Sequence, residues 1–177
     1  MNNSYFPQTR LWRIPQAAIE DSLDEMSLDG AKGSEGIVLW LGKDSEDIAD
    51  ITHLIRLRGP LVEKRKEYIN IQPALFNDVA DIAIEHGLRL VGQVHSHPPG
   101  YSVDLSPTDR MYGIQVPSYL SLVAPDFART RVPVHDWGVH IYTSKAGYVR
   151  LGHEAARRCL EITHGLRPPM LTVGAGS

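Results

Sequence analysis

The sequence predicts an α+β fold of the α/β/α-like kind, a mixed β-sheet flanked by helices. Three observations predict it. Short β-rich runs such as Glu35 to Leu41 and Leu88 to Val91 alternate along the chain with stretches whose apolar residues recur at helical spacing, such as Ile19, Leu23 and Met26. Turn and breaker residues, such as Asp29-Gly30-Ala31-Lys32-Gly33 and Gly59-Pro60, stand between these stretches. The 177 residues, 42% of them hydrophobic, suffice for one sizeable core.

In chain order, residues 1–9 are expected to form a flexible N-terminus, 10–164 a single domain and 165–177 a flexible tail, since Pro168-Pro169 and Gly174-Ala175-Gly176 have little to bury. Arg10 to Ile14 reads as a short strand, and Pro15 opens a helix with Ile19, Leu23 and Met26 on one face. Glu35 to Leu41 is a strand that should end at Gly42-Lys43-Asp44, with Glu35 at its mouth. Strands about Asp47 to Arg56 and Glu67 to Ile71 follow as a hairpin-like pair, with Lys64-Arg65-Lys66 as a solvated turn. A second helix starts at Pro73, carries Leu75, Phe76, Val79, Ile82 and Ala83 on one stripe, and closes with His86 and Gly87. Further strands are expected at Ser118 to Ala124, Trp137 to Thr143 and Gly147 to Leu151, and a last helix from His153 to Thr163.

The chain's chemistry concentrates between Val94 and Asp109. Strand alternation after Leu88 puts His95 and His97 on one face and Leu88, Leu90 and Val94 on the other, so the two imidazoles can meet one metal ion. Ser106-Pro107-Thr108-Asp109 reads as a helix start, with Ser106 at the N-cap, Pro107 at the first helical position and the Asp109 carboxylate in the first turn. Two His and one Asp with an open fourth position suit a hydrolytic zinc. Asp109 is the favoured third ligand; Asp104 is the alternative, and Asp109 would then be a plain carboxylate favoured by the helix dipole. His53, His86, His135, His140, His153 and His164 read as packing, capping or surface residues.

These residues resemble the mark of the JAMM (MPN or JAB domain) zinc metalloproteases, a Glu on an early strand, then His-x-His-Pro, then Ser-x-x-Asp. The likeness spans roughly residues 10 to 150 and falls on Glu35, His95, His97, Ser106 and Asp109. The loop Pro98 to Leu105 is one residue longer than the family's usual spacing, which predicts a bulge within Gly100 to Asp104. The resemblance implies an MPN/JAB-type, cytidine-deaminase-like fold, one zinc ion per chain on His95, His97 and Asp109, Glu35 as general base, and Ser106 as helix cap and oxyanion donor. It further implies an isopeptidase acting after the C-terminal tail of ubiquitin or a ubiquitin-like protein, with conjugation-pathway proteins as further partners. Pro125 to Asp136 is the one obvious place for a short substrate-facing insertion.

Three other readings share these residues: a processing peptidase for a ubiquitin-like or sulfur-carrier precursor, a non-catalytic scaffold of the same fold, and a RadC-like protein, whose motif also reads His-x-His-Pro then Ser-Pro-x-Asp. Other zinc architectures fail on residues. There is no His-Glu-x-x-His, and one cysteine, Cys159, supplies neither a Pro-Cys-x-x-Cys nor a disulfide framework. The lone Cys159 fits a reducing cytoplasm, and a formal charge of −3 calls for neither nucleic acid nor a membrane. No apolar run approaches the roughly 18 residues of a membrane span, and Met1 to Gln8 lacks the features of a signal peptide.

Overall fold

The computed structural model describes residues 9–174. Its elements in chain order are β1 (Leu11–Pro15), α1 (Gln16–Gly30), β2 (Ile37–Ser45), β3 (Ile48–Leu57), β4 (Val62–Lys64), β5 (Ile69–Ile71), α2 (Pro73–Glu85), β6 (Arg89–Ser96), α3 (Pro107–Tyr112), β7 (Leu120–Ala124), β8 (Gly138–Thr143), β9 (Gly147–Arg150), α4 (His153–Cys159), β10 (Leu160–Thr163) and β11 (Met170–Val173). Nine strands form one mixed sheet in the order β10-β1-β3-β2-β6-β7-β8-β9, with β11 also on β3. The α+β class with helices flanking a mixed sheet is as expected. Among the described residues no helix is long and apolar enough to cross a membrane.

Strand β2 shows how the layers form. Val38 and Trp40 turn to the face covered by α1, where they pack with Ile19, Leu23 and Met26, and the Trp40 indole N–H donates to the Ser22 hydroxyl of α1 at 3.0 Å. Ile37, Leu39 and Leu41 turn to the other face and pack with Leu75, Val79 and Ala83 of α2. Period-2 alternation in the strand thus meets a helical stripe on each side. Pro73 stands at the start of α2, and Gly87, with φ +61°, follows its last turn, as the sequence predicts.

Several expectations are corrected. Strand β2 does not stop at Gly42-Lys43-Asp44 but pairs with β3 as far as Ser45, through a register shift at Leu41 and Gly42. A Cβ on Gly42 would lie 2.3 Å from the Asp50 carbonyl, so the glycine permits close approach here rather than ending the strand. Leu88 and Leu90 do not share a face with Val94. Trp40 pairs with Gly92 and Leu41 with Leu90, which leaves Val91 as the extra residue of a bulge; Leu88 and Leu90 therefore pack on the α2 side while Val94 packs on the α1 side.

Strand β3 pairs with β2 rather than with β5, whose own partner is β4. Lys64 closes β4 instead of lying in a solvated turn; its ammonium is largely covered and sits 2.6 Å from Asp29. The last helix ends at Cys159, and Leu160–Thr163 becomes β10, parallel to β1, because an open strand edge there offers backbone partners and buries Leu160.

The tail expected to be flexible from residue 165 contains β11, which pairs with Leu54–Leu57 of β3 just beyond the stretch of β3 taken by β1. Val173 is buried among Leu75 and Ile55. Thr9 is buried as well, so the expected flexible N-terminus does not extend to residue 9; residues 1–8 and 175–177 lie outside the described residues.

Candidate metal centre

Backbone pairing assembles the site. In β6, His95 stands opposite Ile37 of β2 and beside Val123 of β7, and the His97 N–H donates to the Ala124 carbonyl at 3.0 Å, which carries the pleat two residues further. His97 thereby shares a face with His95. Across on β2, Ser96 N–H donates to the Gly36 carbonyl and Gly36 N–H to the Ser96 hydroxyl, so the antiparallel register extended by two residues sets Glu35 opposite His97. The Glu35 N–H is held by the Arg65 carbonyl at 2.8 Å.

Asp109 arrives from α3, whose N-terminus forms as expected. The Ser106 hydroxyl accepts the Asp109 N–H, the Asp109 carboxylate accepts the Ser106 N–H, and Pro107 occupies the first position. This reciprocal cap points Asp109 Oδ2 back toward the strand. It lies 3.3 Å from His97 Nε2 and 3.6 Å from His95 Nε2, and the two Nε2 atoms are 3.2 Å apart.

His95, His97 and Asp109 could hold a metal ion. Four ligands at about 2.0–2.1 Å in a tetrahedron stand about 3.3 Å from one another, and the three separations observed fall around that value. The donor set is also prepared. His97 donates its Nδ1–H to the Ser102 carbonyl at 2.7 Å, which leaves a lone pair on Nε2 in the neutral ring. His95 Nδ1 is buried and has no hydrogen-bond partner among the described residues.

Electrostatics separate the two carboxylates. Burial opposes ionisation of Asp109, but the adjacent His95 and His97 rings, which favour the anion when protonated, and the bond from Ser106 outweigh it and hold the carboxyl far below the usual carboxylate range. Burial pushes Glu35 the other way, up to about 8, against the lowering pull of His97. Burial alone would lower the His97 pKa, yet its bonds to Asp109 and Ser102 and the nearby Glu35 raise it above the ordinary value. One acid is thus fixed as an anion and the other is poised near neutrality.

The structure brings together all five sequence-predicted residues, Glu35, His95, His97, Ser106 and Asp109. Asp104 does not join them; it bonds to His140 and Arg110 instead. Those partners, and the Ser102 carbonyl, were not singled out from sequence as site residues. The alternation Gly138-Val139-His140 on β8 is the signal that could have found them, because it sets a glycine and a histidine on one strand face. Pro125 to Asp136 does not stand free. Phe127, Ala128 and Val134 are buried, Phe127 closes on Gly30 at the end of α1, and the Phe127 N–H donates to the His97 carbonyl at 2.8 Å.

No protein-family model and no curated protein matches the chain. Among solved structures, the solution structure of protein DSY2949 from Desulfitobacterium hafniense is similar, with a TM-score of 0.64 over 88% of this chain and 95% of that one. Sequence identity is 16%, so the likeness shows a shared fold alone.

Proposed function

We propose that the chain is a zinc-dependent isopeptidase of the JAMM type on an MPN/JAB-like, cytidine-deaminase-like fold, cleaving after the C-terminal tail of ubiquitin or a ubiquitin-like protein. The observation that carries the reading is the buried Glu35 carboxyl, set in register opposite His97, beside a His95-His97-Asp109 cluster that could hold one ion per chain. A buried carboxylate beside an open metal site suits hydrolysis.

A zinc ion there supplies Lewis acidity, polarising a carbonyl and lowering the pKa of water toward about 7. The chain's residues divide the rest. Glu35 takes the proton of the attacking water and passes it to the leaving amine. His95, His97 and Asp109 are the ligands, and Asp109 contributes the one negative charge. The Ser106 oxygen accepts the Asp109 N–H, which leaves its own O–H able to donate to a developing oxyanion. The partners in this reading are ubiquitin-like conjugates and proteins of their conjugation pathway, with neither nucleic acid nor membrane, in the cytoplasm.

The test is incubation of zinc-loaded protein with isopeptide-linked ubiquitin-like conjugates and with linear ubiquitin-like fusions. Cleavage of conjugates supports the isopeptidase; cleavage of linear fusions alone assigns precursor processing; cleavage of neither, with zinc bound, turns the reading to a non-catalytic scaffold.

A further inference from the structure

We propose that Asp104, His140 and Arg110 form a positioning network that pins the loop between His97 and Ser106 onto the sheet, and so holds the His97 ring with its proton on Nδ1 and Nε2 free for a ligand. The inference rests on the metal reading above for its consequence and on hydrogen bonding for its substance.

The His97 ring is oriented by the Ser102 carbonyl, so whatever fixes the path of residues 98–105 fixes the ring. Gly138 of β8 lets this loop lie directly on the strand, since a Cβ there would fall 1.7 Å from the Val103 carbonyl oxygen. Two residues along, on the same face, His140 is fully buried and its Nε2 stands 2.8 Å from Asp104 Oδ1. That carboxylate oxygen also accepts the Leu105 N–H at 2.9 Å and an Arg110 N–H at 2.8 Å. A second Arg110 N–H donates to the Tyr148 carbonyl of β9 at 2.9 Å, tying α3 to the same anchor. Next to Asp104, Leu105 is buried with Tyr119, Val123 and Tyr148.

The network therefore grips the chain on the C-terminal side of Ser102 and at the helix that carries Asp109. Asp104 is turned into this anchor rather than joining the metal cluster. One oxygen of the half-exposed Asp104 carboxylate thus collects three donors, two of them on cationic or ionisable side chains and one of these, His140, fully buried. Such an arrangement suits a place where backbone position must hold to fractions of an ångström.

Partners that orient a metal-binding His typically change affinity by about 10- to 100-fold when lost. Acting one contact further out, Asp104→Asn and His140→Ala should weaken zinc binding by about tenfold, the low end of that range. Arg110→Met should weaken it less. The experiment is competition of the full-length protein with a chromophoric chelator, with Val79→Ala under α2 as a control that lowers stability far from the loop. Unchanged zinc affinity in Val79→Ala, weakened affinity in Asp104→Asn and His140→Ala, and recovery in His140→Gln, whose amide still donates to Asp104, are the results expected. A second readout uses no metal: ¹⁵N NMR of the His97 ring at alkaline pH should show the Nδ1–H tautomer in wild type and a mixture in Asp104→Asn. Wild-type affinity and tautomer in these variants, or equal weakening in Val79→Ala, would overturn the proposal. A wild-type protein that binds no zinc would overturn the metal reading, while the tautomer alone would still decide the positioning role.

Discussion

Asp109 Oδ2 reaches to 3.3 Å of His97 Nε2 while accepting the Ser106 N–H at 2.8 Å, so one carboxylate oxygen joins the cap of α3 to the imidazole at the end of β6. A helix start and a strand end are thereby locked together at the atoms offered to a metal.

Metal content follows directly. Purified, zinc-loaded protein should carry one zinc per chain, and His95→Ala or His97→Ala should lose it, since two remaining ligands do not make a closed set. Elemental analysis of the dialysed proteins decides; stoichiometric zinc in the double variant would sink the assignment.

The register of the third ligand is separable from the loop anchor. Asp109→Ala should abolish stoichiometric binding, whereas Asp104→Asn should still take up one zinc per chain at saturating metal. The reverse outcome would mean that Asp104, not Asp109, is the ligand.

Ser106→Ala removes the hydroxyl that accepts the Asp109 N–H. Loss of such a cap typically costs about 1 kcal/mol, which should appear as a lowered denaturation midpoint of the metal-free protein. Ser106→Gly should cost only a few tenths of that unit. Identical midpoints for wild type and Ser106→Ala would remove the capping role.

The metal-free protein should also lose stability as pH rises through Glu35's titration range. Burial raises the Glu35 carboxyl from 4.5 to about 8 in the fold. Between those values the unfolded chain gives up this proton and the folded chain keeps it, so ionisation favours unfolding. The contribution is fully present below 4.5 and gone above about 8. Glu35→Gln should flatten this part of the stability profile; an equally steep profile in the variant would assign the slope to other groups.

Much of the site was legible because its residues are local in sequence or follow strand registers. His-x-His on a strand and Ser-Pro-x-Asp at a helix start carry their own geometry, and the structure reproduces both. What was hidden depends on partners far along the chain. Nothing near Met170 to Val173 announces an open edge on β3, and Leu160 to Thr163 continues a helical pattern until β1 is there to pair with it. The bulge at Val91 likewise arises from pairing with β2, and it moves Leu88 and Leu90 to the other face without altering the alternation that joins His95 to His97. Asp104 looked like a spare ligand because its partner His140 lies two strands away in the sheet.

Strand β11 offers a check on that account. Val173 is buried against Leu75, and fully burying a side chain of this size is worth about 1.5–3 kcal/mol. Val173→Ala should lower stability by a part of that amount, read from the chemical denaturation midpoint. No change would show that the last strand does not contribute to the core.

Glu35→Gln separates a base beside a bound zinc from a merely structural carboxyl, because the amide keeps the side chain's shape but cannot take a proton. A positioned acid or base contributes about 100- to 10,000-fold in rate. Zinc content of the variant should match wild type, while cleavage of a ubiquitin-like conjugate by the zinc-loaded protein should fall at least about 100-fold. A zinc-loaded Glu35→Gln protein that cleaves as fast as wild type would contradict the account.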